Sequence, residues 1–245
     1  KLGCSCDWSR NAFTIDENLS KSVIKVFVEL YNKGLIYKDK KLVNWDTVLK
    51  TAISDLEVDQ REVNSKIYYI KYPIDGTSEF ITIATTRPET MLGDTAIAVN
   101  PKDDRFKSFV GKTVTIPLLW RKIKIIEDDY ADPEQGTGAL KITPAHDFND
   151  YDVGQRNDLE IINIFTEEGK INENAPAHYV GLDRFEARKK ILKELKEKEF
   201  FDKEENIKNK VPYGDRSNSI IEPFLTEQWF ADAGKLSVKA KEVVN

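Results

Sequence analysis

Seven short apolar segments, each bounded by turn residues, constrain the fold of this chain more than any other feature. They occupy residues 66–72, 79–85, 96–99, 113–116, 123–126, 139–143 and 161–165. Pro73-Ile74-Asp75-Gly76 between the first two is a turn signal and predicts a hairpin. Strand-sized segments at such regular spacing predict a closed or nearly closed β-barrel. Two helices interrupt the series. One starts near Asp147, and the other spans residues 183–198, where Asp183 and Glu186 stand at capping-box spacing.

The flanks read differently. Thr14 and Glu17 have capping-box spacing and open a helix whose stripe is Leu19, Val23, Ile24, Phe27, Leu30 and Tyr31, with Gly34 to end it. Two apolar runs, 35–37 and 42–45, flank the charged Lys38–Lys41 stretch and predict a β-ribbon with a turn there. From Asn206 onward the chain is expected to be extended again, through residues 219–222 and the Trp229-Phe230 pair. The expected organisation is α+β: an N-terminal arm over 1–59, a barrel-like domain over 60–207 with peripheral helices, and a return arm over 208–245.

Composition narrows the function classes. With 245 residues and 40% hydrophobic content, the chain can bury one sizeable core. Its 37 Lys and Arg against 42 Asp and Glu give a net charge of −5. That argues against a dedicated duplex binder and permits contact with a short nucleic-acid end. No apolar run is long enough to span a membrane and no signal peptide opens the chain, so a cytoplasmic location and no membrane partner are expected. Lys1 in first position and a single methionine, Met91, suggest a piece of a longer protein. Cys4 and Cys6 are too close for a good disulfide, and two histidines cannot complete a zinc site, so free thiols and no metal are expected.

Two polar runs carry the candidate chemistry. In the first, residues 85–95, an apolar strand ends on Thr85 and Arg87, which share a face. Pro88 then suits the first position of a helical turn over Glu89, Thr90, Met91 and Leu92 that ends at Gly93. A strand feeding a helix start presents free N–H groups beside Arg87 and Thr90, a receptor for an oxyanion. The plain alternative is a polar strand end with Arg87 paired to Glu89 or Asp94. In the second run, residues 136–150, alternation places Lys141 and Thr143 on one face and Leu140 and Ile142 on the other. Gly136 and Gly138 permit close backbone approach, and Asp147 and Asp150 fall on one face at the positive end of the next helix. Singly, each acid reads as an ordinary N-cap or first-turn residue. Together with Lys141, Thr143 and His146 they can bind an ammonium group and a hydroxyl. His146, beside a carboxylate, is also a candidate general base. No nucleophile elbow, metalloprotease helix, P-loop or dinucleotide fingerprint is present.

These runs, with CDWSR at residues 6–10, LVNWDTVLKTAISDLEV at 42–58 and IIEPFLTEQWF at 220–230, resemble the valyl-tRNA synthetases. The resemblance covers nearly the whole chain and points to the editing domain, inserted between β-ribbon and helical arms of a class I synthetase core. It implies hydrolysis of threonine wrongly attached to valine tRNA, with threonyl-adenylate as a second candidate substrate. The partners implied are the 3′ end of that tRNA and threonine, and the protein is expected to be a monomer. No cofactor is implied for hydrolysis. ATP and magnesium belong to the parent's synthetic site, whose two signature motifs are missing from this sequence.

The resemblance also implies why such a site is needed. An apolar pocket rejects an isostere bearing an added hydroxyl only about 100-fold, a general figure for valine-specific enzymes and not one obtained from this chain. A site that hydrogen-bonds the hydroxyl inverts the choice. The family's pocket maps onto Thr85, Arg87, Glu89, Thr90, Lys141, Thr143, His146, Asp147 and Asp150. It implies that Asp150 holds the ammonium, that Asp147 with Lys141 or Thr143 reads the hydroxyl, and that Arg87, Thr85 and Thr90 orient the ester and the terminal adenosine. His146 and the ribose hydroxyl are both candidates to take the proton from water. Gln135 and Phe148 depart from the family pattern, where an aromatic residue and a proline are common, and residues 212–217 lack a common cysteine. A non-catalytic tRNA-docking role and a leucyl or isoleucyl editing specificity are the alternatives.

Overall fold

The computed structural model describes Gly3, Ser5 and residues 7–244. Cys4 and Cys6 lie outside the described residues, and so does the expectation of free thiols there. The described chain divides into two compact units, Lys1–Lys41 with Glu227–Asn245, and Leu42–Thr226.

In the smaller unit, α1 spans Glu17–Asn32, and its C-cap Lys33 precedes Gly34 at φ +65°. The left-handed turn that glycine tolerates ends the helix as expected. Its start is not the expected Thr14 capping box. The N-cap is Asp16, whose carboxylate accepts the Phe13 N–H at 2.8 Å. Phe27 and Tyr31 meet the Trp229 ring edge-on, at centroid distances of 5.2 and 6.0 Å.

Three sheets form. The first has the order β10-β1-β2, with β1 at Ile36–Asp46, β2 at Thr51–Ile53 and β10 at Glu222–Ala231. The turn expected at Lys38–Lys41 is absent, because β1 runs straight through those residues. Alternating side chains let a strand carry charge on a solvent face without breaking. The second sheet has the order β4-β3-β9, with β3 at Val58–Pro73, β4 at Phe80–Thr85 and β9 at Phe201–Gly214. The predicted hairpin is there, with Tyr72 opposite Ile81. The third has the order β6-β7-β5-β8, comprising Thr113–Thr115, Lys122–Glu127, Ala96–Val99 and Ala139–Ile142. Residues 161–165 form no strand beyond a single bridge from Phe165 to Ile171.

The fold is α+β, but the barrel does not close among the described residues. The second and third sheets join through one bridge, Ile74 to Val114, and through Asp75 N–H donating to the Thr113 carbonyl. On the opposite side β4 lies beside β8 without a ladder between them. A ladder here would pull the two strands to about 4.8 Å and leave no room between their tips. Gly136, at φ +58°, brings its loop onto the same seam: a Cβ there would sit 3.0 Å from Ala84 Cβ.

Two cores support the seam. Alternation along β5 sends Ile97 and Val99 into the main core and Ala96 and Ala98 into a smaller one with Ala131, Ile142 and Val153. The small alanines let α2, at Phe148–Arg156, sit close over β8. On the other side α3, at Arg184–Glu197, buries Ala187, Ile191 and Leu195 in the main core. α4, at Ala233–Val244, was not expected from the sequence. Among the described residues no helix is long and apolar enough to cross a membrane.

Candidate functional site

The first polar run folds as predicted, with β4 ending at Thr85 and a 3-10 turn over Pro88–Gly93. The turn is closed by its own side chains. Thr85 Oγ1 accepts the Arg87 N–H at 3.1 Å, and the Thr90 hydroxyl donates to the Arg87 carbonyl at 2.9 Å. Arg87 is held on three sides, by Glu89 Oε1 at 3.4 Å, the His146 carbonyl at 3.2 Å, and Glu222. Glu89 is fully buried and accepts a fork of two 2.7 Å bonds from Arg188. Burial pushes its carboxyl up, but Arg188 and Arg87 outweigh that and hold it below the usual carboxylate range. Desolvation opposes the charge of Arg87, and Glu222 and Glu89 overcome it, so the guanidinium stays protonated.

Asp94, near the end of the first run, is its joint to the second. Fully buried, it accepts from Thr143 Oγ1 at 2.6 Å and Lys141 Nζ at 3.2 Å on one oxygen, and from Tyr72 Oη at 2.7 Å on the other. Lys141 also donates to Thr143 Oγ1. The Thr143 N–H donates to Asp150 Oδ2 at 2.9 Å, which ties β8 to α2. Asp147 is the N-cap of α2, accepting from Asn149 N at 2.8 Å and Asp150 N at 3.1 Å. The two runs therefore meet through one carboxylate, and Asp94 pairs with Lys141 rather than with Arg87.

A cleft of about 230 Å³ opens at the seam between β4 and β8. Of the nine residues singled out from the sequence, Thr85, Arg87, Thr90, Lys141, Thr143, His146, Asp147 and Asp150 line it. Glu89 does not; its carboxylate is spent on Arg188 behind the wall. Tyr130, Ile67, Ala84, Thr86 and Leu140 complete the lining. Tyr130 was missed because it lies in a loop without periodicity, and Ile67 because it reads as an ordinary strand residue. Two further hollows share lining residues with the cleft. One hollow of about 360 Å³ shares Thr86, Arg87, His146 and Asp147 and reaches Phe148, Phe185 and Lys210. The other, of about 480 Å³, shares Ile67, Ala84, Tyr130 and Leu140 and reaches Gln135. Phe148 lines the first of these hollows and Gln135 the second.

The two titratable candidates differ in state. Asp150 is 6% exposed, and burial pushes its carboxyl up to about 7, with Asp147 and Asp94 adding to the rise and Lys141 and the Thr143 N–H opposing it. Its Oδ1 takes no hydrogen bond among the described residues. His146 is 2% exposed and held well below its ordinary value, by burial first and then by Arg87 and Lys141, so the ring is neutral. Nε2 accepts the Ile164 N–H at 3.0 Å. Nδ1 is buried, with the Pro223 carbonyl near it but outside hydrogen-bonding geometry. The imidazole has no free lone pair to offer the cleft, and its contribution is the carbonyl that holds Arg87.

An ammonium-sized, partly desolvated carboxylate site beside a hydroxyl-and-lysine network can receive a small zwitterion-like group bearing an alcohol. Residues 1–245 match the family described as tRNA synthetases class I (I, L, M and V), and the chain belongs to that family. It is 86% identical over 245 residues to Valine--tRNA ligase of Pelagibacter ubique (strain HTCC1062), covering the whole of this chain and 28% of that protein. It is 53% identical over 264 residues to Valine--tRNA ligase of Caulobacter vibrioides (strain ATCC 19089 / CIP 103742 / CB 15), covering 100% of this chain and 29% of that one. The chain therefore spans under a third of the length of these relatives. Among solved structures, a leucyl-tRNA synthetase ternary complex from Agrobacterium radiobacter K84 aligns with 80% of this chain and 33% of its own, at TM-score 0.46 and 18% identity.

Proposed function

We propose that this chain is the proofreading part of a valine-specific class I synthetase, and that it hydrolyses threonine esterified to the 3′ end of valine tRNA. The observation that carries the reading is Asp150: a buried carboxylate lining the cleft, with one oxygen fixed by the Thr143 N–H and the other without a hydrogen-bond partner among the described residues. An unpaired buried carboxylate is costly unless a cation completes it, and the α-ammonium of an aminoacyl ester is such a cation.

In this reading Asp150 Oδ1 takes the ammonium and Asp147 adds charge at the mouth. The side-chain hydroxyl of threonine is read by Asp147, with Lys141 or the Thr143 hydroxyl. Valine in the same place would leave these polar groups unpaired, which disfavours it. Arg87, rigid in its cage of Glu89, Glu222 and the His146 carbonyl, orients the ester end together with Thr85 and Thr90. Water attacks the ester carbonyl, and the C–O bond to the terminal ribose breaks. The neighbouring ribose hydroxyl, the candidate left once His146 is committed to Ile164, takes the proton from water and passes its own to the departing ribose oxygen, so that free threonine and the ribose diol leave. The hollows that share the lining of the cleft accommodate the tRNA 3′ strand. No step is routed through a metal, and ATP with magnesium is assigned to the synthetic part of the longer protein.

The test is the rate of deacylation of threonyl-, valyl- and isoleucyl-tRNA by the chain. Selective loss of the threonyl ester is expected. Preference for the isoleucyl ester would move the specificity to another member of the family, and hydrolysis of none would leave a docking role.

A further inference from the structure

One polar atom stands on the apolar inner face of β3. Ile70, Tyr72 and Ile74 alternate into the main core, all at 1% exposure or less, opposite Ile81 and Ile83 of β4. Phenylalanine would fill the volume of the Tyr72 ring there without a hydroxyl to satisfy. A buried phenol must find a partner, and this one donates to Asp94 Oδ2 at 2.7 Å. Asp94 has two oxygens with different duties: Oδ2 serves Tyr72, while Oδ1 takes Thr143 at 2.6 Å and Lys141 at 3.2 Å.

We propose that Tyr72 is a positioning residue for the cleft: from behind the wall, its hydroxyl fixes the Asp94 carboxylate so that the other oxygen aims Lys141 and Thr143 at the substrate. This rests on the hydrolase reading given above. The chain of contacts is continuous, from Tyr72 through Asp94 to Thr143, and from the Thr143 N–H to Asp150. It also accounts for the geometry of Lys141. With Asp94 and Thr143 taking two of its three N–H bonds, one is left for the cleft it lines.

Asp94 is the group whose ionisation the arrangement must protect. The groups facing it are Tyr72 from β3, Lys141 and Thr143 from β8, and Arg121, which donates to its backbone carbonyl at 2.7 Å. Asp150 of α2 adds a like charge nearby. Burial pushes the Asp94 carboxyl above its ordinary value, and Lys141, Thr143 and Tyr72 pull it back. A bond donated to the carboxylate favours the ionised form. Removing it raises the pH at which Asp94 takes a proton, and activity that needs the ionised form is then lost at a higher pH.

The experiment measures kcat and KM for threonyl-tRNA hydrolysis across about pH 5–9 in the wild type, in Tyr72→Phe, and with 3-fluorotyrosine at position 72. The kcat profile reports groups in the enzyme–substrate complex, where Asp150 is already paired with the ammonium. In Tyr72→Phe the acid limb of kcat is expected to move up by about one pH unit, with kcat on that limb down by as much as about tenfold and KM within about twofold. The fluorinated phenol, a stronger donor of nearly the same shape, is expected to move the limb the other way. It decides the matter alone if Tyr72→Phe does not fold. An active wild type with unmoved kcat profiles in the folded variants overturns the inference and leaves the hydrolase reading standing. A wild type that hydrolyses nothing overturns both.

Discussion

Thr143 and Asp150 are joined by a 2.9 Å bond from the Thr143 backbone N–H to Asp150 Oδ2, which leaves Oδ1 of this cleft-lining residue without a hydrogen-bond partner among the described residues. Strand β8 thereby fixes the rotation of an acid on helix α2. The fixed oxygen makes the free one directional.

That geometry carries a stability cost with a pH signature. Asp150 is pushed up to about 7 in the folded chain against an ordinary 3.8. Its ionisation therefore works against folding as pH rises from the lower value to the upper one. Asp150→Asn is expected to be roughly 2–4 kcal/mol more stable than wild type at about pH 8, with the difference vanishing below about pH 4. Urea unfolding at several pH values measures it. A variant that is both more stable and inactive would mark Asp150 as held for chemistry.

Glu89 has the opposite sign. Its carboxyl is held low, so the stability it contributes is present above the ordinary carboxylate range and is lost as pH falls through the depressed value. Glu89→Gln leaves Arg188 and Arg87 short of an anion. It is expected to lose about 3–5 kcal/mol near pH 7, and less in acid. The same denaturation series reads this out.

Lys141, on the cleft wall, and Asp94, behind it, form a buried pair at 3.2 Å. Lys141→Met and Asp94→Asn are each expected to destabilise, with a coupling of about 1–3 kcal/mol in a double-mutant cycle. A coupling near zero would mean that Thr143 and Tyr72 alone satisfy Asp94.

Gly154 tests the placement of α2 without touching the cleft. A Cβ there would lie 2.8 Å from Pro144 Cγ, so Gly154→Ala must push the helix off the end of β8. A loss of about 1–3 kcal/mol is expected, together with reduced hydrolysis, because Asp147 and Asp150 ride on that helix. Thermal unfolding and the deacylation rate measure the two effects.

The sequence made the site more legible than the fold around it. Alternation correctly separated Lys141 and Thr143 from Leu140 and Ile142, because a strand's period of two holds whatever the sheet closes into. Pro88 and Asp147 marked their turn and helix for local steric and capping reasons. Closure of the barrel was not legible. It depends on whether β4 and β8 pair, and nothing local in either strand reports that they stop short. The misplacement of Glu89 has the same origin: its partner Arg188 is 99 residues away, on α3. His146 was misread because its ring nitrogen is taken by the Ile164 amide, a contact between loops that carry no periodicity.

The measurement that bears most directly on the central claim is the hydrolysis of threonyl-tRNA by wild type and by Asp150→Ala, with folding checked in both. If the free oxygen of Asp150 grips the ammonium, the rate is expected to fall by about 100-fold or more, the loss that follows from removing a buried charge partner worth about 3 kcal/mol. Undiminished hydrolysis by Asp150→Ala would contradict it.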